Sequence, residues 1–205
     1  MNGLWRTLSD LLDVARGRGP TSLSAAERFR LITAAGLSSL VFAAIWGVAA
    51  GSTSLLLAGS NVIKVPMVVL FSVLSALPAG VIALRLSGST QRVSDLILSF
   101  CGAVFSGTLV AAVLAPIVAI YLQTSQWAGP YLGMGSVFAA IGVAAFLFFN
   151  NALRDVPREE RTNHIVPKIV LAVVTLAVLP QLIALASPIL QASTVWDAGV
   201  DIVAG

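Results

Sequence analysis

Histidine and cysteine each occur once in the 205 residues, and charge is scarce throughout. The single thiol, Cys101, excludes an intramolecular disulfide, and inside an apolar run it reads as inert filler rather than a nucleophile. One histidine, His164, placed in a polar loop, cannot supply the buried His or Cys pair that haem, chlorophyll or a metal would need. There are no paired carboxylates, no serine–histidine arrangement and no phosphate-binding glycine loop before a helix. The expectation is a non-enzymatic protein with no cofactor and no metal. Residues 1–30 hold no central apolar run and no small-residue cleavage site, so no cleavable signal is expected there.

Charged residues make up 10% of the chain, against roughly 25% in soluble domains. With 58% hydrophobic residues and a mean hydropathy of +0.95, a soluble fold of this size could not hide its apolar surface, so the bilayer is the expected solvent. The pI near 9.6 does not argue for nucleic acid, because the excess is only +3 and its distribution has another explanation.

Five stretches are long and apolar enough to cross about 30 Å of hydrocarbon: residues 31–50, 65–84, 97–122, 132–149 and 169–190. None contains an internal Asp, Glu, Lys or Arg, which argues against a pump or ion-coupled carrier. The expected fold is all-α, a polytopic membrane bundle of five transmembrane helices with an N-terminal amphipathic interfacial helix. Residues 1–30 form the N-terminal segment, 31–190 the five-helix domain and 191–205 a short acidic tail with Asp197 and Asp201. Residues 51–64 read equally as a loop, an interfacial helix or a re-entrant segment.

Eleven of the twelve basic residues fall on one side of this ladder. Arg6, Arg16, Arg18, Arg28 and Arg30 precede the first span, Arg85 and Arg92 separate the second and third, and Arg154, Arg158, Arg161 and Lys168 separate the fourth and fifth. Only Lys64 lies opposite. The positive-inside rule then places the N-terminus in the cytoplasm and the C-terminus outside. Trp46, Tyr121, Trp127 and Trp196 fall at the outer ends, where amphipathic rings favour the headgroup layer. Ser24 and Glu27 have capping-box spacing before the first span, and Pro167 suits the first turn of the fifth.

Leu4, Leu8, Leu11, Leu12 and Ala15 recur at helical spacing beside Trp5, with Arg6, Asp10, Asp13 and Arg16 largely opposite, so this segment reads as an amphipathic helix ended by Gly17, Gly19 and Pro20. It can lie on the inner leaflet or dock a cytoplasmic partner. Small residues recur every four positions: Ala43, Gly47 and Gly51; Ala103, Gly107 and Ala111; Gly135 and Ala139. Such rows let backbones approach closely in lipid, within the bundle or at a subunit interface. Pro66, Pro78, Pro116 and Pro180 are expected to kink their helices, and Pro188 to lie near the end of the fifth. Gln181 is the deepest amide and is expected to bond across helices or touch a solute, and Lys64 to snorkel to lipid phosphate or pair with a partner carboxylate. Ser72, Ser75, Ser99, Ser106, Thr108 and Thr175 can bond within their own helices.

From Asn61 the chain reads NVIKVPMVVLFSVLSALPAGVIAL, and later VLAPIVAIYL. With the Gly47/Gly51 pair, Lys64–x–Pro66, Pro78 twelve residues on, Pro116 followed by Ile117 and Val118, and Gln181 seven residues before Pro188, this resembles a family of bacterial five-span proteins distantly similar to the eukaryotic Yip-type, Rab-interacting membrane proteins. The likeness covers roughly residues 40–190. Ser187 stands where members often have arginine, and Ala184 where they often have an aromatic. The resemblance implies a bacterial inner membrane, a cytoplasmic N-terminus and no enzymatic activity.

The function expected from these features is a structural or accessory subunit of a larger membrane assembly, with lipids and other membrane subunits as partners and a homo-oligomer possible. The alternative is a passive conduit for a small neutral solute or lipid, and membrane organisation by analogy with Yip-type proteins is a third reading. The topology has a direct test. In a Cys101→Ala background, Ser89→Cys should react with an impermeant maleimide only from the cytoplasmic side and Ser125→Cys only from outside. The opposite pattern would invert the bundle.

Overall fold

The computed structural model describes residues 9–13, 23–125, 127–154 and 160–190. Leu4, Trp5, Leu8, Arg6, Arg16, Arg18, Arg158 and the 191–205 tail lie outside the described residues. Five long helices carry the fold: α1 (Ala25–Ala50), α2 (Leu55–Leu86), α3 (Val93–Thr124), α4 (Ala128–Arg154) and α5 (Arg161–Ala186). All five are long and apolar enough to cross a membrane, and no strand is present among the described residues. The chain is an all-α, multi-pass membrane protein.

Each helix exceeds its apolar run. At 1.5 Å per residue the 32-residue α2 and α3 are about 48 Å long, well beyond the hydrocarbon thickness, so their ends enter the headgroup layers or the helices tilt. α1 begins at the expected capping box. The Ser24 hydroxyl accepts from the Glu27 amide at 3.2 Å, and the Ser24 amide donates to the Glu27 carboxylate at 2.9 Å.

Two helices have other bounds than the apolar stretches suggested, and the open segment is settled. The open segment 51–64 is a tight turn at residues 51–53 followed by helix from Leu55, so Lys64 lies within α2 instead of at its start. α5 starts earlier and stops sooner than residues 169–190: His164, Pro167 and Lys168 belong to it, and it ends at Ala186. Ser187 is extended (φ −59°, ψ 151°), as a residue before proline is driven to be, so Pro188 follows the helix. Pro66, Pro78, Pro116, Pro167 and Pro180 are all accommodated inside continuous helices. At Pro167, whose ring cannot donate to the carbonyl of Asn163, that carbonyl instead accepts the Ser87 hydroxyl at 3.2 Å.

The helices pack in the circuit α4–α3–α1–α2–α5, with α5 and α4 meeting only lightly to close it. α1 and α3 run parallel, since Arg28 meets Asp95 near one end and Ser52 meets Ala119 near the other. α2 and α4 run the opposite way. One end of the bundle carries Arg28, Arg30, Arg85, Arg92 and Arg161 and is called the basic end below.

Small residues set the closest approaches. A Cβ on Gly47 would come within 2.5 Å of the Asn61 carbonyl oxygen, one on Gly107 within 2.8 Å of the Ala140 oxygen, and one on Gly51 within 2.5 Å of the Ala58 nitrogen. Ala103 and Ala111 are buried in the interior. Gly135 differs: it is exposed with nothing within 4 Å of a Cβ, and Ala139 is exposed too. The face that α4 turns inward carries Gly133, Ser136 and Ala140 instead, offset from that row.

The described part of the N-terminal segment, residues 9–13, is helical as expected. Leu11 is wholly buried against Leu31, Ala35, Leu98 and Phe105 of α1 and α3, with Leu12 beside it. Leu11 is thus covered by the bundle, and Leu12 is partly covered.

Gly47→Ala and Gly107→Ala should each destabilise the bundle by about 1–3 kcal/mol through overpacking, in spite of alanine's better helix propensity. Gly135→Ala, with open space at its Cβ, should instead be stabilising by up to about 1 kcal/mol. Loss of helicity on titrating a harsh detergent into the purified protein measures all three.

Candidate functional site

Polar side chains concentrate at the two ends of the bundle. At the end remote from the arginines, the Trp46 indole N–H donates to the Ser136 hydroxyl at 2.8 Å, which in turn donates to the Gly133 carbonyl at 2.6 Å. Beside them Asn61 is fully buried, and its Nδ2 donates to the Ile189 carbonyl at 2.8 Å. The Lys64 ammonium reaches the Pro188 carbonyl at 3.4 Å. The segment after α5 is thereby drawn back into the bundle. Ile189 and Leu190 are buried among Trp46, Val65 and Ala111, and Leu190 rests on Gly133.

The local cause is the phase of α2. Its buried positions are Asn61, Val65, Val68, Ser72, Ala76, Gly80 and Leu84, one stripe at helical spacing. Asn61 is the polar member, and glycine at position 47 leaves room for its backbone. Its amide then satisfies a carbonyl in a segment that has left the helical bond pattern, as a low-dielectric setting demands.

At the basic end, the Arg28 guanidinium pairs with Asp95 at 3.1 Å and reaches Ser94 at 3.4 Å, joining α1 to α3. Ser87 bonds Asn163, joining α2 to α5. Lys168, read from the sequence as a basic residue flanking the fifth span, is only 3% exposed. Its ammonium donates to the Phe148 carbonyl at 3.0 Å and lies 4.9 Å from that ring's centre. A cation on a carbonyl near the end of α4 is favourable to the helix dipole as well as to the ring, and it ties α5 to α4 where their packing is lightest.

The structure does not bring Gln181 to a neighbouring helix. It sits on the exposed side of α5, and no described residue bonds its amide. The hydroxyls of Ser72, Ser106, Thr108 and Thr175 bond carbonyls of their own helices, at 2.7, 2.9, 3.0 and 2.7 Å. They form no row with Gln181. Two hollows stand out, both open to the surface. One, of about 510 Å³, is a largely apolar groove between α1, the start of α2 and Pro116 of α3. The other, of about 590 Å³, lies at the basic end in the turn between α2 and α3. Among the described residues, no three His, Cys, Asp or Glu side chains gather as a metal would require.

Asn61, Lys168 and Ser136 are the polar side chains whose interhelical bonds the sequence did not reveal. The signal for Asn61 was present, because it continues the buried phase of α2 by one turn. Lys168 gave none, since a basic residue near a span end reads equally as solvated.

Comparison with protein-family models, curated proteins and solved structures finds no match. Asn61→Ala should cost about 0.6 kcal/mol and no more than about 1.7 kcal/mol, the mean and the maximum for interhelical hydrogen bonds in lipid. It should also free the segment after α5. In a Cys101→Ala background, Leu190→Cys should react with maleimide several-fold faster when Asn61→Ala is added.

Proposed function

We propose that this chain is a non-enzymatic subunit that joins a larger membrane assembly through the exposed face of α5. The observation that carries the reading is Gln181, an amide five residues from the end of α5, exposed and without a hydrogen-bond partner among the described residues. α5 also exposes Val166, Ile169, Val173 and Leu176 at three- and four-residue spacing, a row that continues at Pro180 beside Gln181, and Leu185 is exposed near the end of the helix. An amide facing hydrocarbon is costly, and a helix from another subunit supplies its missing donor and acceptor. The bacterial inner membrane with a cytoplasmic N-terminus belongs to the same proposal, supported by the charge asymmetry of the loops.

The conduit reading calls for a polar path lined by Gln181 and the α3 hydroxyls; Gln181 is exposed, and the Ser106 and Thr108 hydroxyls are spent on carbonyls of their own helix, which lends it no support. The Yip-type reading used the N-terminal leucines as a docking surface, and Leu11 is occupied by the bundle.

A mild-detergent pull-down with mass spectrometry of the retained proteins tests the proposal. The parent chain should retain stoichiometric membrane partners, or further copies of itself. Gln181→Leu should lower that retention several-fold while the helicity of the chain is unchanged. A chain recovered alone, or retention indifferent to Gln181→Leu, would rule out this interface.

A further inference from the structure

The hollow at the basic end is lined by Arg85, Gly88, Ser89, Gln91, Arg92 and Ser94 among others. Arg85 and Arg92 are exposed, and neither has a carboxylate partner among the described residues. No acidic side chain lines the space, and the nearest one along the chain, Asp95, is engaged by Arg28. α3 starts here without a side-chain cap, so its first amides add to the positive potential. Gly88 holds the turn open at φ +64°. In the wall, the Gln91 Oε1 is buried with no hydrogen-bond partner.

We propose that this hollow binds the headgroup of a membrane phospholipid, with the phosphodiester between Arg85 and Arg92 and a headgroup N–H or O–H donating to Gln91. Each part answers a different observation. Two unpaired guanidinium groups suit a phosphate, which accepts their planar donors. The orphaned Gln91 oxygen needs a donor, which ethanolamine and glycerol headgroups carry and choline does not. The place suits lipid, because the hollow opens at the ends of two spans where the apolar helix surface gives way to charge. The site is separate from the α5 face, so the two proposals fail independently.

The test is native mass spectrometry of the full chain, reconstituted with equal parts of phosphatidylethanolamine, phosphatidylglycerol and phosphatidylcholine and then extracted gently. One ethanolamine or glycerol lipid should remain bound. The double variant Arg85→Gln/Arg92→Gln should retain it about ten-fold less. Ser89→Leu, which fills the hollow without changing charge, should also lower retention, and Arg30→Gln, at the same end but outside the hollow, should not. Equal retention by parent and double variant would overturn the proposal. So would an equal loss in Arg30→Gln, which would reduce the effect to general charge. Displacement of the lipid by millimolar inorganic phosphate would assign the hollow to free phosphate instead, and a preference for choline would remove the role of Gln91.

Discussion

Lipid tails are as apolar as leucine, so helices in a bilayer gain little by hiding leucines from them. What holds this bundle is close approach of backbones, and that depends on side chains that are missing. Gly47 lets the Asn61 backbone sit against α1, Gly107 lets α4 sit against α3, and Gly80 admits the Leu171 side chain of α5. Each contact gains dispersion over many atoms at once, and even a methyl group in the gap would push the helices apart. These small residues set three steps of the circuit α4–α3–α1–α2–α5, and the α3–α1 step is filled instead by Leu31, Ala35, Leu98 and Phe105.

Close approach leaves the helix ends to be settled separately, since backbone groups there have no partners within the helix. The bundle closes its ends with a few long-range bonds: Asn61 to Ile189, Ser87 to Asn163, Lys168 to Phe148, and Arg28 with Asp95. Three of the four bind α5 or the segment that follows it. α5 therefore is secured at both ends and along α2, while much of its length faces outward. A helix held in this way can offer a side to another subunit without loosening its own fold, and Gln181 lies on that side.

Much of this was legible in the chain. Five spans follow from apolar length alone, and the capping box at Ser24 and Glu27 from two residues at the right spacing. Gly47 and Gly107 could be picked as small residues, but which face of each helix they served could not. Gly135 shows why. It belongs to an equally regular row, yet α4 is rotated so that Gly133 and Ser136 face inward, and rotation about a helix axis leaves no mark on a uniformly apolar sequence. Leu11 shows the same limit from the other side. An amphipathic turn announces an apolar surface to be covered, and the groove between α1 and α3 that covers it exists only after those helices have packed.

The chain by itself determined the solvent, the number of spans and which loops carry positive charge, because these depend on composition summed over about twenty residues and on charges too costly to bury. Tertiary structure alone decided that Asn61 and Lys168 are interior, that Gln181 is not, and that residues 187–190 return into the bundle. Those outcomes turn on single hydrogen bonds between residues as distant as Asn61 and Ile189. Such a bond is worth little until packing excludes every other partner, and only the assembled helices do that.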